Sequence, residues 1–277
     1  MGKIILCEAR QAVIPYVFVN TKVEVYSYEE LCFYIYNNVA LLNREQFQGK
    51  LVQWIKSELG LEELATAIME KLSAESDLVE ILVVILSAGS YYEPAEIRQF
   101  IEKQELVELL PENEKIKLRA DSFLMYKRLL KAISLYDEIL RQEETIEDKR
   151  LIGDVLHNRG VALAKNMELS KAKLSFLEAY EHNKKKPSLE AYITLRLLED
   201  APETVMPEAK TFGMEEADFN RISMLLEDAI DDSSNTVAFT RYQKALYNKD
   251  HGDYEAFNQR VDMLLHQWKE EFREQIV

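Results

Sequence analysis

The chain has 277 residues, 47% of them hydrophobic and 30% charged, with only 8 Gly and 6 Pro. That length allows one large or two modest domains with a substantial core, and the scarcity of breakers favours a mostly helical protein over a disordered or all-β one. A net charge of −15 repels phosphate backbones and anionic lipid at long range, so no nucleic acid and no membrane surface is expected as a partner.

The chain opens on strand-like runs. Ile4-Ile5-Leu6, Tyr16–Val19 and Val23-x-Val25 are β-branched or alternating, and Pro15 and Asn20 punctuate them, which predicts a small sheet or hairpin. No basic segment followed by a long apolar one marks a leader, and Leu6 stands where a myristoylation pattern wants Ser or Thr. Cys7 and Cys32 are not framed as a disulfide scaffold, so a reduced, cytoplasmic setting is expected.

Ser27-x-x-Glu30 has the form of a capping box and opens a helix through Leu31, Tyr34 and Ile35 to about Leu42. Phe47, Leu51, Trp54 and Ile55 form one apolar stripe ending near Gly60, and Leu61, Leu64, Ala65, Ile68 and Leu72 the next. Leu78–Leu86 is apolar nearly all round, which predicts the most buried helix of this region; Glu80 and its shortness argue against a membrane span. Glu93-Pro94 starts a short helix carrying Ile97, Phe100 and Ile101. The break at Leu110-Pro111 is the expected boundary between an N-terminal α+β, mostly helical region (1–110) and a repeat region (111–277).

One spacing then occurs twice. Ile116-x2-Arg119-Ala120-x2-Phe123 precedes Ala132-x3-Tyr136, and Leu156-x2-Arg159-Gly160-x2-Leu163 precedes Ala172-x3-Phe176. The small residue of each first segment stands equally far ahead of the alanine of the second. This pattern resembles the tetratricopeptide (TPR) helix–turn–helix repeat, well over about Glu114–Pro187 and loosely over the C-terminal third. The resemblance implies a mainly α fold: a TPR-like α-solenoid of helical hairpins, with a small strand-containing N-terminal portion. In it Ala120, Ala132, Gly160, Ala172 and Ala179 occupy close helix crossings, while Phe123, Tyr136, Leu163 and Phe176 fill the spaces between. Arg119 and Arg159 depart from the family, which prefers Leu there, and Pro187 arrives later than the family's terminal proline.

Between and beyond these copies, Thr145-x-x-Asp148 has the form of a second capping box, and Lys184-Lys185-Lys186 reads as a solvated loop after a helix. Tyr192, Leu195 and Leu198 mark a helix, and Ala201–Gly213 reads as a proline-containing connector. Phe219, Ile222, Leu225, Leu226 and Ile230 form a helix in strongly acidic surroundings, faced only by Arg221. Gly252-Asp253-Tyr254 is the turn of a closing hairpin whose long second helix carries Phe257, Val261, Leu264, Leu265, Trp268 and Phe272. The opening run Ile4–Glu8, with Val23–Cys32, resembles that of some uncharacterised Firmicutes proteins, and that resemblance brings no function with it.

The chemistry-bearing patterns are few. There is no phosphate-binding glycine loop, no H-E-x-x-H and no G-x-S-x-G, and His157, His182, His251 and His266 lack ligand spacing. Asp231-Asp232 lacks the glycine and closing Glu of a calcium loop. The expectation is a protein that is not an enzyme, with no catalytic residue, no metal ligand and no cofactor. By the TPR resemblance, the first helix of each hairpin lines a groove for a peptide or a partner's helix. The matching positions are Lys117, Asp121 and Leu124 in one copy, and His157, Asn158, Val161 and Lys165 in the other. Asn158 is suited to donate to and accept from a peptide backbone, and Lys165 to meet a carboxylate. The implied function is a non-catalytic adaptor or scaffold for a protein or peptide, with the acidic surface favouring a basic one and no oligomeric state specified. Two alternatives stay open: a bacterial peptide-sensing regulator, and an enzyme of unknown type using Cys7 and Glu8.

Overall fold

Tyr16–Phe18 (β1) pairs antiparallel with Val23–Val25 (β2), Tyr16 opposite Val25 and Phe18 opposite Val23. The alternation turns Phe18 and Val25 inward, where both are buried. This hairpin heads a mainly α-helical protein whose helices pack in sequence. The computed structural model describes residues 10–142 and 147–276, so the expected strand at Ile4–Leu6, Cys7 with Glu8, and Thr145 lie outside the described residues. The chain divides into two compact units after Tyr126.

The first unit continues with α1 (Tyr28–Asn37), α2 (Lys50–Ser57), α3 (Glu62–Ser73), α4 (Leu78–Ser87), α5 (Pro94–Glu108) and α6 (Glu112–Met125). Ser27 Oγ accepts from the Glu30 amide at 3.2 Å, as a capping box requires. The Glu30 carboxylate, however, accepts from Tyr26 N at 2.6 Å, one residue ahead of the cap. The helix stops at Asn37 rather than near Leu42, because Asn38 donates its amide side chain to Tyr34 O (2.9 Å) and leads into a 3-10 turn, Val39–Leu41.

Phe18 stacks on Tyr34, and Tyr28 donates its hydroxyl to Ile85 O at 2.7 Å, tying α1 to α4. Helix α4 buries Ile81, Leu82, Ile85 and Leu86 fully and its valines half. The expected domain boundary at 110/111 and the observed division differ by α6. That helix buries Ile116 and Ala120 and packs on the Val39–Leu41 turn of the first unit.

The second unit comprises α7 (Leu129–Leu140), α8 (Lys149–Lys165), α9 (Leu169–Asn183), α10 (Lys186–Glu199), α11 (Pro202–Thr211), α12 (Glu216–Ser234), α13 (Val237–Asp250) and α14 (Tyr254–Ile276). Asp148 itself caps α8, its carboxylate accepting from Arg150 N (2.8 Å) and Leu151 N (3.3 Å). The supposed connector Ala201–Gly213 contains a true helix, α11, which buries Val205 and Ala209. Pro202 stands in its first turn, where no amide donor is needed, and Pro207 withholds only one bond. One apolar core runs from Leu163, Ala172 and Phe176 through Leu189, Tyr192 and Ile193 to Val205, Phe219 and Ile222. α13 and α14 form a final hairpin, and α14 also comes back against α7.

Candidate functional site

The tightest packing in the second unit is the α8–α9 crossing. A Cβ at Gly160 would lie 2.7 Å from the Phe176 ring, and one at Gly153 would lie 2.6 Å from Asn183 Cβ and 2.9 Å from its backbone nitrogen. Both positions therefore need glycine for close approach. Ala172 and Ala179 are buried on the facing side, Ala179 against Ile152 and Leu156. Ala120, Ala132 and Tyr136 are also buried. Ala120 belongs to the first unit and Ala132 and Tyr136 to the second, so the first expected hairpin is divided between the units.

Gly153 was missed in the sequence. Its signal is its place seven residues ahead of Gly160, two helical turns along the same face.

Charged and polar groups join the first helices of successive hairpins. Lys185 donates to Asp154 of α8 at 2.6 and 2.7 Å, and Asn183 donates to Asp154 at 3.2 Å. His157 Nδ1 lies 3.1 Å from Ser188 Oγ at the start of α10, its ring against Phe176. Farther along, Lys186 meets Asp218 of α12 at 2.6 Å, and Arg221 of α12 pairs with Glu190 of α10. Lys186 holds the Asp218 carboxyl below its usual pKa. Lys184 takes a left-handed conformation, its ammonium 5.0 Å from the centre of the Tyr180 ring. The lysine run is therefore a clasp: Lys185 and Lys186 reach acids on two different helices.

The residues singled out from the sequence have different surroundings. Lys117 and Asp121 pair with each other at 2.6 Å along α6 of the first unit. In the second unit His157, Asn158 and Val161 are half-buried on α8, and Lys165 is exposed in its last turn. Val161 packs on the core that runs on to α12. Arg159 reaches sideways, donating to Asp137 of α7 (2.6 Å) and to the buried Ser175 of α9 (2.8 Å). With Arg141, Lys171, Leu174 and Glu178 it lines an open depression of about 560 Å³.

Burial lowers the His157 pKa below its ordinary 6.5, with Asp154 opposing the shift and Lys185 adding to it. The neutral ring is thus favoured in the folded state. Its contribution to stability is present above the unfolded pKa and is lost as pH falls through 6.5 toward the lower folded value. Between about pH 7 and pH 5.5, wild type is expected to lose more stability than His157→Gln, whose side chain does not titrate. Parallel urea melts at the two pH values, with equal losses in both proteins, would refute this.

Other chemistry is sparse. Burial pushes the Cys32 thiol up to about 12, which keeps it protonated and unreactive. Among the described residues no group of three or more His, Cys, Asp and Glu could hold a metal ion, and no helix is long and apolar enough to cross a membrane. No protein-family model matches the chain, and neither does any curated protein or solved structure.

Proposed function

We propose that this protein is a non-catalytic adaptor whose second unit holds a protein or peptide partner along TPR-like hairpins. The observation that carries the reading is the α8–α9 hairpin. Its crossings close on Gly153 and Gly160, its core continues into α10 and α12, and Asn158, Val161 and Lys165 line one side of α8. Helices that share a core in this way present a long, fixed surface rather than a cleft with converging titratable groups. His157 lies against Ser188 and Phe176, and the proposed recognition residues are Asn158, Val161 and Lys165, which follow along the same side of α8. The net charge of −15 favours a basic partner and speeds its encounter.

The test is capture from native lysate with wild type and with Asn158→Ala/Lys165→Ala. Proteins retained by wild type are expected to be lost from the double variant while its melting curve stays the same. Identical recovery by both would sink the groove assignment.

A further inference from the structure

The long helix α14 carries one apolar stripe: Phe257, Val261, Leu264 and Leu265, Trp268, Phe272. Its first half is covered. Leu264 is buried and Phe257 and Val261 half-buried, whereas Leu265, Trp268 and Phe272 are 41%, 48% and 48% exposed. The cause is length. α13 has 14 residues and α14 has 23, so at ~1.5 Å per residue α14 outruns its partner by roughly 13 Å. A hydrogen bond from Arg241 to Gln267 (3.2 Å) fixes the antiparallel register, and places Trp268 and Phe272 at and beyond the start of α13.

We propose that this uncovered face of the α13–α14 hairpin is the contact surface for a second copy of the chain. Charge selects that occupant. The chain carries −15 overall, so two copies repel each other over most of their surface. The α13–α14 hairpin (Val237–Ile276), however, is nearly balanced, with six Lys and Arg against seven Asp and Glu. Two such hairpins, nearly neutral and bearing both signs, can meet about a two-fold axis with opposite charges paired around the apolar stripe. The neighbouring α12, six acids against Arg221, would guard the margin.

Area agrees. Eight large apolar side chains of α13 and α14 are exposed among the described residues. At roughly 100 Å² apiece, five of them gathered in one contact would supply about 500 Å², the apolar share of the ~800 Å² per partner that a standard-size stable interface takes. The inference does not depend on the groove described above.

Light scattering on purified chain at micromolar concentration is expected to give the mass of two chains. Trp268→Glu/Phe272→Glu should give one, with helix content by circular dichroism retained. Leu106→Glu/Leu109→Glu, at exposed positions of the first unit, should stay dimeric. Lys269→Glu/Arg273→Glu leaves the apolar stripe intact and should raise the dimer Kd more than about tenfold at low salt, with recovery as salt screens the added charge. A monomeric wild type overturns the proposal. So does a dimer that survives either α14 variant unchanged.

Discussion

Gly153→Ala is expected to destabilise the second unit by about 2 kcal/mol, although alanine is the better helix former by about 1 kcal/mol. The new methyl would stand 2.6 Å from Asn183 Cβ and 2.9 Å from Asn183 N, and a backbone nitrogen cannot swing aside as a side-chain tip can. Asn183 is the last residue of α9, and its carboxamide donates to Asp154 and accepts from Lys185 N at 2.8 Å. Displacing it breaks the clasp between α8 and α10. The three atoms nearest a Gly160→Ala methyl all belong to the Phe176 ring, a side chain that yields more readily than a backbone nitrogen, so the loss should be nearer about 1 kcal/mol. Hydrogen exchange of α8 and α9 amides reads both variants locally. Unchanged or slower exchange in Gly153→Ala would mean that propensity wins and the crossing is looser than the geometry says.

The contrast between these glycines shows what was legible. Gly160 could be read because Ala172 and Phe176 follow it at the spacing at which Ala132 and Tyr136 follow Ala120. Gly153 could not be assigned a purpose, because that depends on Asn183, which arrives thirty residues later. The turns were concealed differently. Lys127 and Met167 both adopt positive φ, each seven residues after the small residue of its copy, Ala120 or Gly160. Gly252 stands equally far after the buried Ala245. Only the last of these turns carries the glycine that advertises it, so the first two gave no signal in residue type.

The lysine run Lys184–Lys186 read as a solvated loop for a related reason. A cation's partner is set by helix stacking, and Asp154 and Asp218 stand on opposite sides of it in sequence. Helix α11 was hidden by its prolines, which suggest a connector until Val205 and Ala209 are seen sharing one buried face. Local period and composition thus marked the helices other than α11, whereas groups meeting across hairpins needed the fold.

Arg159→Ala is expected to cost about 2 kcal/mol in the second unit, and Arg119→Ala less than about 1 kcal/mol, although the two arginines hold the same place in their copies. Arg119 pairs loosely with Glu112 of its own helix, at 3.5 Å, the arginine half-exposed and the glutamate more so. Arg159 instead joins three helices, its guanidinium donating to Asp137 on α7 and Ser175 on α9. Ser175 is 1% exposed, so losing the arginine strands a hydroxyl that water cannot reach, unless it turns to the carbonyl one helical turn back. Asp137 is 39% exposed and would be rehydrated, which is why the expected loss stays below that of a buried ion pair.

Lysine should recover only part of the loss. One ammonium on a flexible stem cannot serve two acceptors in the fixed directions of the guanidinium fork. Local stability from exchange of α8 and α9 amides should therefore fall in the order wild type, Arg159→Lys, Arg159→Ala. Full stability in the lysine variant would reduce the interaction to simple charge. Equal losses at Arg119 and Arg159 would show that the arginines act by covering their helices rather than by tying α7, α8 and α9 together.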